Sequence, residues 1–235
     1  MIDLTAVRPS VDPQPTIEIV PPKRVCLDLG CGQSKREGFL GVDKYPAPGV
    51  DIVHDLFTQY PWPFESGSVD EAHSSHNLEH LDDAPWDPRL DAVLSVLVAN
   101  PSFSDEQKST LSALMNPPSS LRMRFFAELY RVLKPGGTAL FITPSADSDR
   151  SSQDPTHRYP PLVPGFYQCY LSKAWREANK LNHGDYDKFP VDFAVQSVNV
   201  GLVPELITRN DAYRADAMKH FRNSTIDLYV TLVKQ

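Results

Sequence analysis

The sequence predicts an α/β protein: a mostly parallel seven-stranded sheet with an antiparallel C-terminal edge hairpin and a helical insert. Three observations lead there. Short β-type runs alternate with helical patterns along most of the chain, the arrangement from which open parallel sheets are built. An early apolar run, Val25 to Leu29, breaks into the turn Gly30-Cys31-Gly32, and Asp43 closes the next hydrophobic run. Two late apolar runs flank a single helical pattern, so they can pair as an antiparallel hairpin at one sheet edge.

The elements follow in order. Residues 1–22 hold five prolines and little periodicity, which predicts an extended arm ahead of one domain over 23–235. Strands are expected at Arg24–Leu29, Phe39–Val42, Val50–Val53, Val69–Ser74 and Thr138–Thr143. Only about ten residues separate Gly32 from Asp43, short of the dozen or so that a helical crossover needs, so Gln33–Gly38 holds a turn at most. Residues 82–120 form a long insert with helices expected at Arg89–Val98 and Asp105–Met115, the second opened by a capping box of Ser104 and Gln107. Leu121, Phe125, Phe126, Leu129, Val132 and Leu133 then recur at helical spacing. Pro135-Gly136-Gly137 is expected to stop that helix and turn into the next strand. Beyond it, Leu171–Leu181 and Asp211–Arg222 read as helices, and Val191–Val203 and Thr225–Val233 as strands.

Bulk properties bound the function. At 235 residues and 41% hydrophobic, the chain can bury one sizeable core. A net charge of −7 disfavours broad binding to nucleic acid without excluding it, because residues 121–180 carry nine basic against five acidic side chains while 61–120 carry two against ten. Three cysteines with no framework spacing point to a reducing compartment. The first residues lack the apolar core of a signal peptide, and no run is long enough to span a bilayer, so a soluble cytoplasmic protein without a membrane partner is expected. The oligomeric state is left open.

The glycine turn and Asp43 carry the chemistry. Glycines let the backbone bend sharply and lie against a ligand, and a carboxylate at the end of the following strand can accept both hydrogen bonds of a ribose diol. Together they predict a nucleoside-cofactor site at the carboxyl ends of parallel strands. His76-Asn77-Leu78-Glu79-His80 matches the zinc-peptidase string H-x-x-E-H, whose histidines share one helical face. No third ligand is evident, so no metal is expected and a metallopeptidase is a distant alternative. Asp154-Pro155-Thr156-His157-Arg158-Tyr159 should overlie the same pocket, and an imidazole there can deprotonate an acceptor.

Six stretches in order carry a resemblance: Leu27-Asp28-Leu29-Gly30-Cys31-Gly32, Gly41-Val42-Asp43, Asp55-Leu56, Ser68-Val69-Asp70, His76 to Leu81, and Arg131 to Gly137. From about residue 24 to 145 the chain resembles the class I S-adenosylmethionine-dependent methyltransferases, in particular the small single-domain group with a glycine-rich first loop and a leucine-glutamate-histidine segment after the fourth strand. The resemblance implies a Rossmann-like sheet and S-adenosyl-L-methionine as cofactor. It implies that Asp28, Gly30, Cys31 and Gly32 border the methionine and ribose, that Asp43 holds the ribose hydroxyls, and that Asp55 and Leu56 meet the adenine. His76 would approach the methionine or the acceptor, and His76 and His157 are the expected catalytic side chains. Asn116-Pro117-Pro118-Ser119 is similar to the motif of the adenine and cytosine amino-methyltransferases but lacks its aromatic residue, and reads as a helix stop. The expected activity is methyl transfer to an O or N atom of a small-molecule or glycan acceptor. The competing expectation is a non-catalytic subunit that binds the same cofactor.

Overall fold

Leu27 and Leu29 are fully buried, and the strand they define, β1 (Cys26–Leu29), lies inside the sheet with neighbours on both sides. The computed structural model describes residues 24–81, 88–105, 107–108, 121–158, 160–181 and 191–235. Strands β2 (Leu40–Asp43), β3 (Ile52–Val53), β4 (Val69–Ser75) and β5 (Leu133–Pro144) run parallel to β1, and β6 (Phe193–Leu202) and β7 (Thr225–Lys234) run antiparallel to each other. The order across the seven-stranded sheet is β3-β2-β1-β4-β5-β7-β6, with β7 antiparallel to β5. The chain therefore leaves β1 toward one edge and returns on its other side at β4. That reversal opens a crevice at the carboxyl ends of the strands, where open α/β sheets bind ligands.

Packing explains the helix ahead of β5. Helix α2 (Leu121–Val132) buries Phe125, Phe126, Leu129 and Val132 along one face, following α1 (Pro88–Ala99) of the insert. Phe125 lies at the centre of an aromatic cluster, 5.0 Å from Trp62, 5.6 Å from Phe126, 6.1 Å from Phe57 and 6.3 Å from Phe141 between ring centroids. Beside it, the buried Arg122 donates to the carbonyl of Pro160 at 2.8 Å, which ties the loop after β5 to this helix.

The crossover from β1 to β2 holds no helix, as its short spacing predicts. Two other expectations need correction. Pro135-Gly136-Gly137 does not lie between a helix and a strand, because pairing with β4 already begins at Leu133. The partner strand steps from Val69 to Glu71 while β5 steps from Leu133 to Thr138, so the Pro-Gly-Gly segment is an irregularity inside the strand, with Gly136 at φ +76°. Nor is Leu171–Leu181 one helix. After α3 (Arg150–Gln153), α4 (Pro164–Leu171) ends and α5 (Lys173–Ala178) begins around Ser172, whose backbone is extended and whose hydroxyl accepts from the Trp175 N–H at 3.3 Å. A serine that caps cannot also continue a helix.

The C-terminal helices α6 (Pro204–Ile207) and α7 (Asp211–His220) separate β6 from β7, with Asn210 capping α7 through the Tyr213 N–H. The predicted capping box is present: Ser104 N–H donates to Gln107 Oε1 at 2.8 Å and Gln107 N–H to Ser104 Oγ at 3.2 Å. The 1–22 arm, most of the second insert helix, the Asn116–Ser119 string and Tyr159 lie outside the described residues. Among the described residues no helix is long and apolar enough to cross a membrane.

Candidate active site

A cavity of about 450 Å³ opens at the carboxyl ends of β1, β2 and β3. Gly30, just after β1, lines it. Asp43 and Lys44 line one side, and His54, Asp55, Leu56 and Phe57 line the far end. Asn77, His80, Thr156 and Arg158 close it from the β4 and β5 side. Gly30 is needed for two reasons: its φ is +73°, and a Cβ there would stand 2.3 Å from Asn77 Cγ. The Asn77 side chain thus packs directly over the glycine turn.

Asp43 shapes the turn as well as facing the cavity. Its Oδ2 accepts from the Gly32 N–H and its Oδ1 from the Tyr45 N–H, each at 3.0 Å. A carboxylate has about four lone-pair sites, so each oxygen can still accept one more bond. Asp28 faces inward instead. It is buried, its Oδ2 accepts from the Arg36 N–H at 2.7 Å, and its Oδ1 lies 2.7 Å from His73 Nδ1. It fixes the path of the loop that Gly30 and Gly32 begin.

Asp55 starts the turn at the far end, accepting from the Phe57 N–H at 2.9 Å and the Thr58 hydroxyl at 2.7 Å. Burial pushes its pKa up, but those hydrogen bonds outweigh burial and hold it below the usual carboxylate value. Leu56 is buried, and its carbonyl accepts from Trp62 Nε1 at 3.0 Å.

Cys31 packs away from the cavity, with Sγ 3.7 Å from the Gly49 carbonyl. Burial, reinforced by the charges of Asp28 and Asp43, pushes its thiol up to about 11. The folded protein should therefore leave Cys31 unalkylated by iodoacetamide at pH 8, and modification should become fast only as the pH nears that value. Peptide mapping checks this; labelling of Cys31 at pH 8 as fast as in urea would contradict it.

The remaining predicted residues lie on the adjoining face. His76, at φ +52° just beyond β4, donates through Nδ1 to Glu79 Oε1 at 3.2 Å, and that bond raises its pKa. It lines a second cavity of about 330 Å³ together with Glu79, His80, Arg150 and His157. His157 also borders a third, of about 570 Å³, which it shares with Arg158. The Ser151 carbonyl, rather than Asp154, holds His157 Nδ1, at 3.3 Å, and Asp154 Oδ2 is 3.8 Å from Nε2. The Arg158 N–H donates to the Glu79 carbonyl at 2.7 Å, which draws the 154–158 loop over the end of β4.

The H-x-x-E-H string does not form the face a zinc peptidase needs. Leu78–His80 is a single 3-10 turn and His76 precedes it with positive φ, so the two histidines are not stacked one α-helical turn apart. Sequence reasoning missed Lys44, His54, Phe57, Asn77 and His80 as cavity walls, whereas Thr156 and Arg158 lie in the segment expected to overlie the pocket. His80 and Asn77 adjoin residues already singled out, but a side chain's direction in a 3-10 turn follows no helical period that could reveal it.

A family model described as a methyltransferase domain matches residues 13–184. No curated protein matches the chain. Among solved structures, a SAM-dependent methyltransferase from Archaeoglobus fulgidus is similar at 16% identity, covering 91% of this chain and 87% of that one, with a TM-score of 0.47. An S-adenosylmethionine-dependent methyltransferase from Mesorhizobium loti is similar at 14% identity, covering 92% and 94%, with a TM-score of 0.38. The geranyl diphosphate C-methyltransferase of Streptomyces coelicolor A3(2) is similar at 13% identity, covering 91% and 70%, with a TM-score of 0.40. The family match takes in most of the chain, including every strand of the crevice. The chain belongs to the methyltransferase-domain family and is an S-adenosyl-L-methionine-dependent methyltransferase.

Proposed function

We propose that this methyltransferase acts on an O or N atom of a small-molecule or glycan acceptor. The observation that carries the reading is the shared wall between cavities. His80 lines both the cofactor-side cavity and the one holding His76, and Arg158 lines both the cofactor-side cavity and the one bordered by His157. An acceptor seated on the 150–158 side would reach the cofactor across those two side chains.

The cofactor-side residues fit a nucleoside with a charged tail. Asp43 would hold the ribose hydroxyls with its remaining lone pairs. Leu56 and Phe57 offer an apolar wall for adenine, with Asp55 able to accept from its amino group. Gly30 allows close approach by the methionine portion, while Asp28 keeps the turn in place. The bound cofactor supplies an activated methyl group on a sulfonium. For such a displacement the protein mainly has to hold acceptor and donor in line.

Where the acceptor must lose a proton, His157 is the group we assign. The Ser151 carbonyl accepts only, so Nδ1 carries the proton and Nε2 is left basic toward the acceptor side. His76, held more basic than usual by Glu79, would sit farther along the same cavity. His157→Ala should lower turnover about hundredfold with little change in cofactor affinity. Full turnover in that variant across the pH range would show that positioning alone suffices.

The acceptor class is tested by incubating the protein with methyl-labelled cofactor and pools of small hydroxyl compounds, amines and glycans. Label on O or N of such a compound is the expected product. Label found only on carbon, protein or RNA would refute the assignment.

A further inference from the structure

We propose that Glu79, His80 and His157 form a binding site for a divalent first-row transition-metal cation where the cofactor-side and acceptor-side cavities meet. One donor atom from each of the three lies within 4.8 Å of the other two. Small rotamer changes would bring them to the roughly 3–3.5 Å separation of ligands that share a cation at about 2.1 Å.

The hydrogen bonds around the cluster leave its lone pairs free. The Asp154 carboxylate accepts only, and it takes the Thr156 hydroxyl proton at 2.6 Å. Thr156 Oγ1, 3.0 Å from His80 Nδ1, must then accept from that nitrogen, so the proton of His80 is on Nδ1 and its Nε2 is bare. His157 is fixed in the same tautomer by the Ser151 carbonyl, so its Nε2 lone pair is the donor, and with the cation bound that lone pair is a ligand while the base role assigned above belongs to the metal-free chain. A ring proton committed to a neighbouring acceptor is how metal-binding histidines are oriented.

Glu79 provides the second, independent sign. The residue is only 6% exposed, its Oε1 is taken by His76, and its Oε2 is buried without a hydrogen-bond partner among the described residues. A buried carboxylate oxygen left unpaired is costly, and a cation beside it removes that cost. His76 therefore serves as the partner that orients Glu79 and is not itself a ligand. Asp154 Oδ2, 3.8 Å from His157 Nε2, adds negative charge at the rim.

Two imidazoles and one carboxylate suit zinc, cobalt, iron or manganese better than magnesium or calcium, which prefer all-oxygen shells. Three protein ligands leave positions open toward the cavity that also holds Arg150 and Gln153. An oxygen of the acceptor would complete the shell there; this use, though not the metal binding, rests on the proposed function.

The tag-free full chain, stripped with a chelator, is titrated with Co2+ while visible absorbance is followed, and with Zn2+ against a chromophoric chelator. One saturable equivalent is expected. His80→Ala and His157→Ala should each weaken it at least tenfold, and Thr156→Val, which frees His80 Nδ1, by about 10–100-fold. His220→Ala, exposed on α7 beside Asp216, should bind as the unaltered chain does. No saturable binding, or binding that survives both His80→Ala and His157→Ala, overturns the site, and the titration of the unaltered chain is decisive even where a variant fails to fold. Methyl transfer by a chain that binds no metal would refute the site alone. Metal bound here without any labelled O or N product would refute the acceptor assignment alone.

Discussion

Asp43→Ala should raise the Kd for S-adenosylhomocysteine by roughly ten- to hundredfold, the value of losing one or two hydrogen bonds to a charged acceptor. Two losses combine. On the cofactor orientation proposed above the ribose hydroxyls lose their acceptor, and the N–H groups of Gly32 and Tyr45 lose the oxygens that now hold them at 3.0 Å. The glycine turn would loosen beside the cavity that Gly30 lines. Stability should change much less, because Asp43 stands at a strand end and the buried side chain of that strand is Val42. Titration calorimetry of the variant, with circular dichroism as a check on folding, measures both. Unaltered affinity would remove Asp43 from the ribose site and with it the orientation of the cofactor in the cavity.

The second large effect is expected from the opposite side of the cavity wall. Phe125 is fully buried and touches Phe57, Trp62, Phe126 and Phe141. Phe125→Ala should cost about 3–5 kcal/mol, since four aromatic neighbours cannot all collapse into the space left. For a domain of this size that lowers Tm by roughly 6–20 °C. Cofactor affinity should fall too, because Phe57 lines the cavity and Trp62 holds the Leu56 carbonyl. Thermal unfolding with and without cofactor separates the two effects. A loss under 1 kcal/mol would mean that the cluster repacks freely.

Most of the sheet was legible because its strands are short apolar runs bounded by Gly, Pro and Asp, and the helix of Phe125 because its period is unbroken over twelve residues. The breaks were harder. Ser172 fits a helical pattern by hydropathy, and only its hydroxyl bond to the Trp175 N–H turns it into a cap. Pro135-Gly136-Gly137 carries strong turn chemistry, yet pairing with β4 continues across it, so tertiary contact overrides the local signal. In the site, Gly30, Asp43, Asp55 and Leu56 stood out because strand ends and turn residues declare themselves. His80 and Asn77 did not, since the Arg158 to Glu79 backbone bond that closes this side of the cavity joins segments nearly eighty residues apart.

The helix-free crossover after β1 has a consequence for phosphate binding. In many nucleotide-binding sheets a helix begins at the glycine turn and aims the positive end of its dipole at a pyrophosphate. Residues 31–39 hold no helix, so that dipole is absent, and the turn's own N–H groups are already committed: those of Gly30 and Cys31 donate to the Val42 carbonyl and that of Gly32 to Asp43. None of the three is left to cradle a phosphate. The missing helix thus makes the turn a poor seat for a pyrophosphate, and recognition there falls to the carboxylate of Asp43.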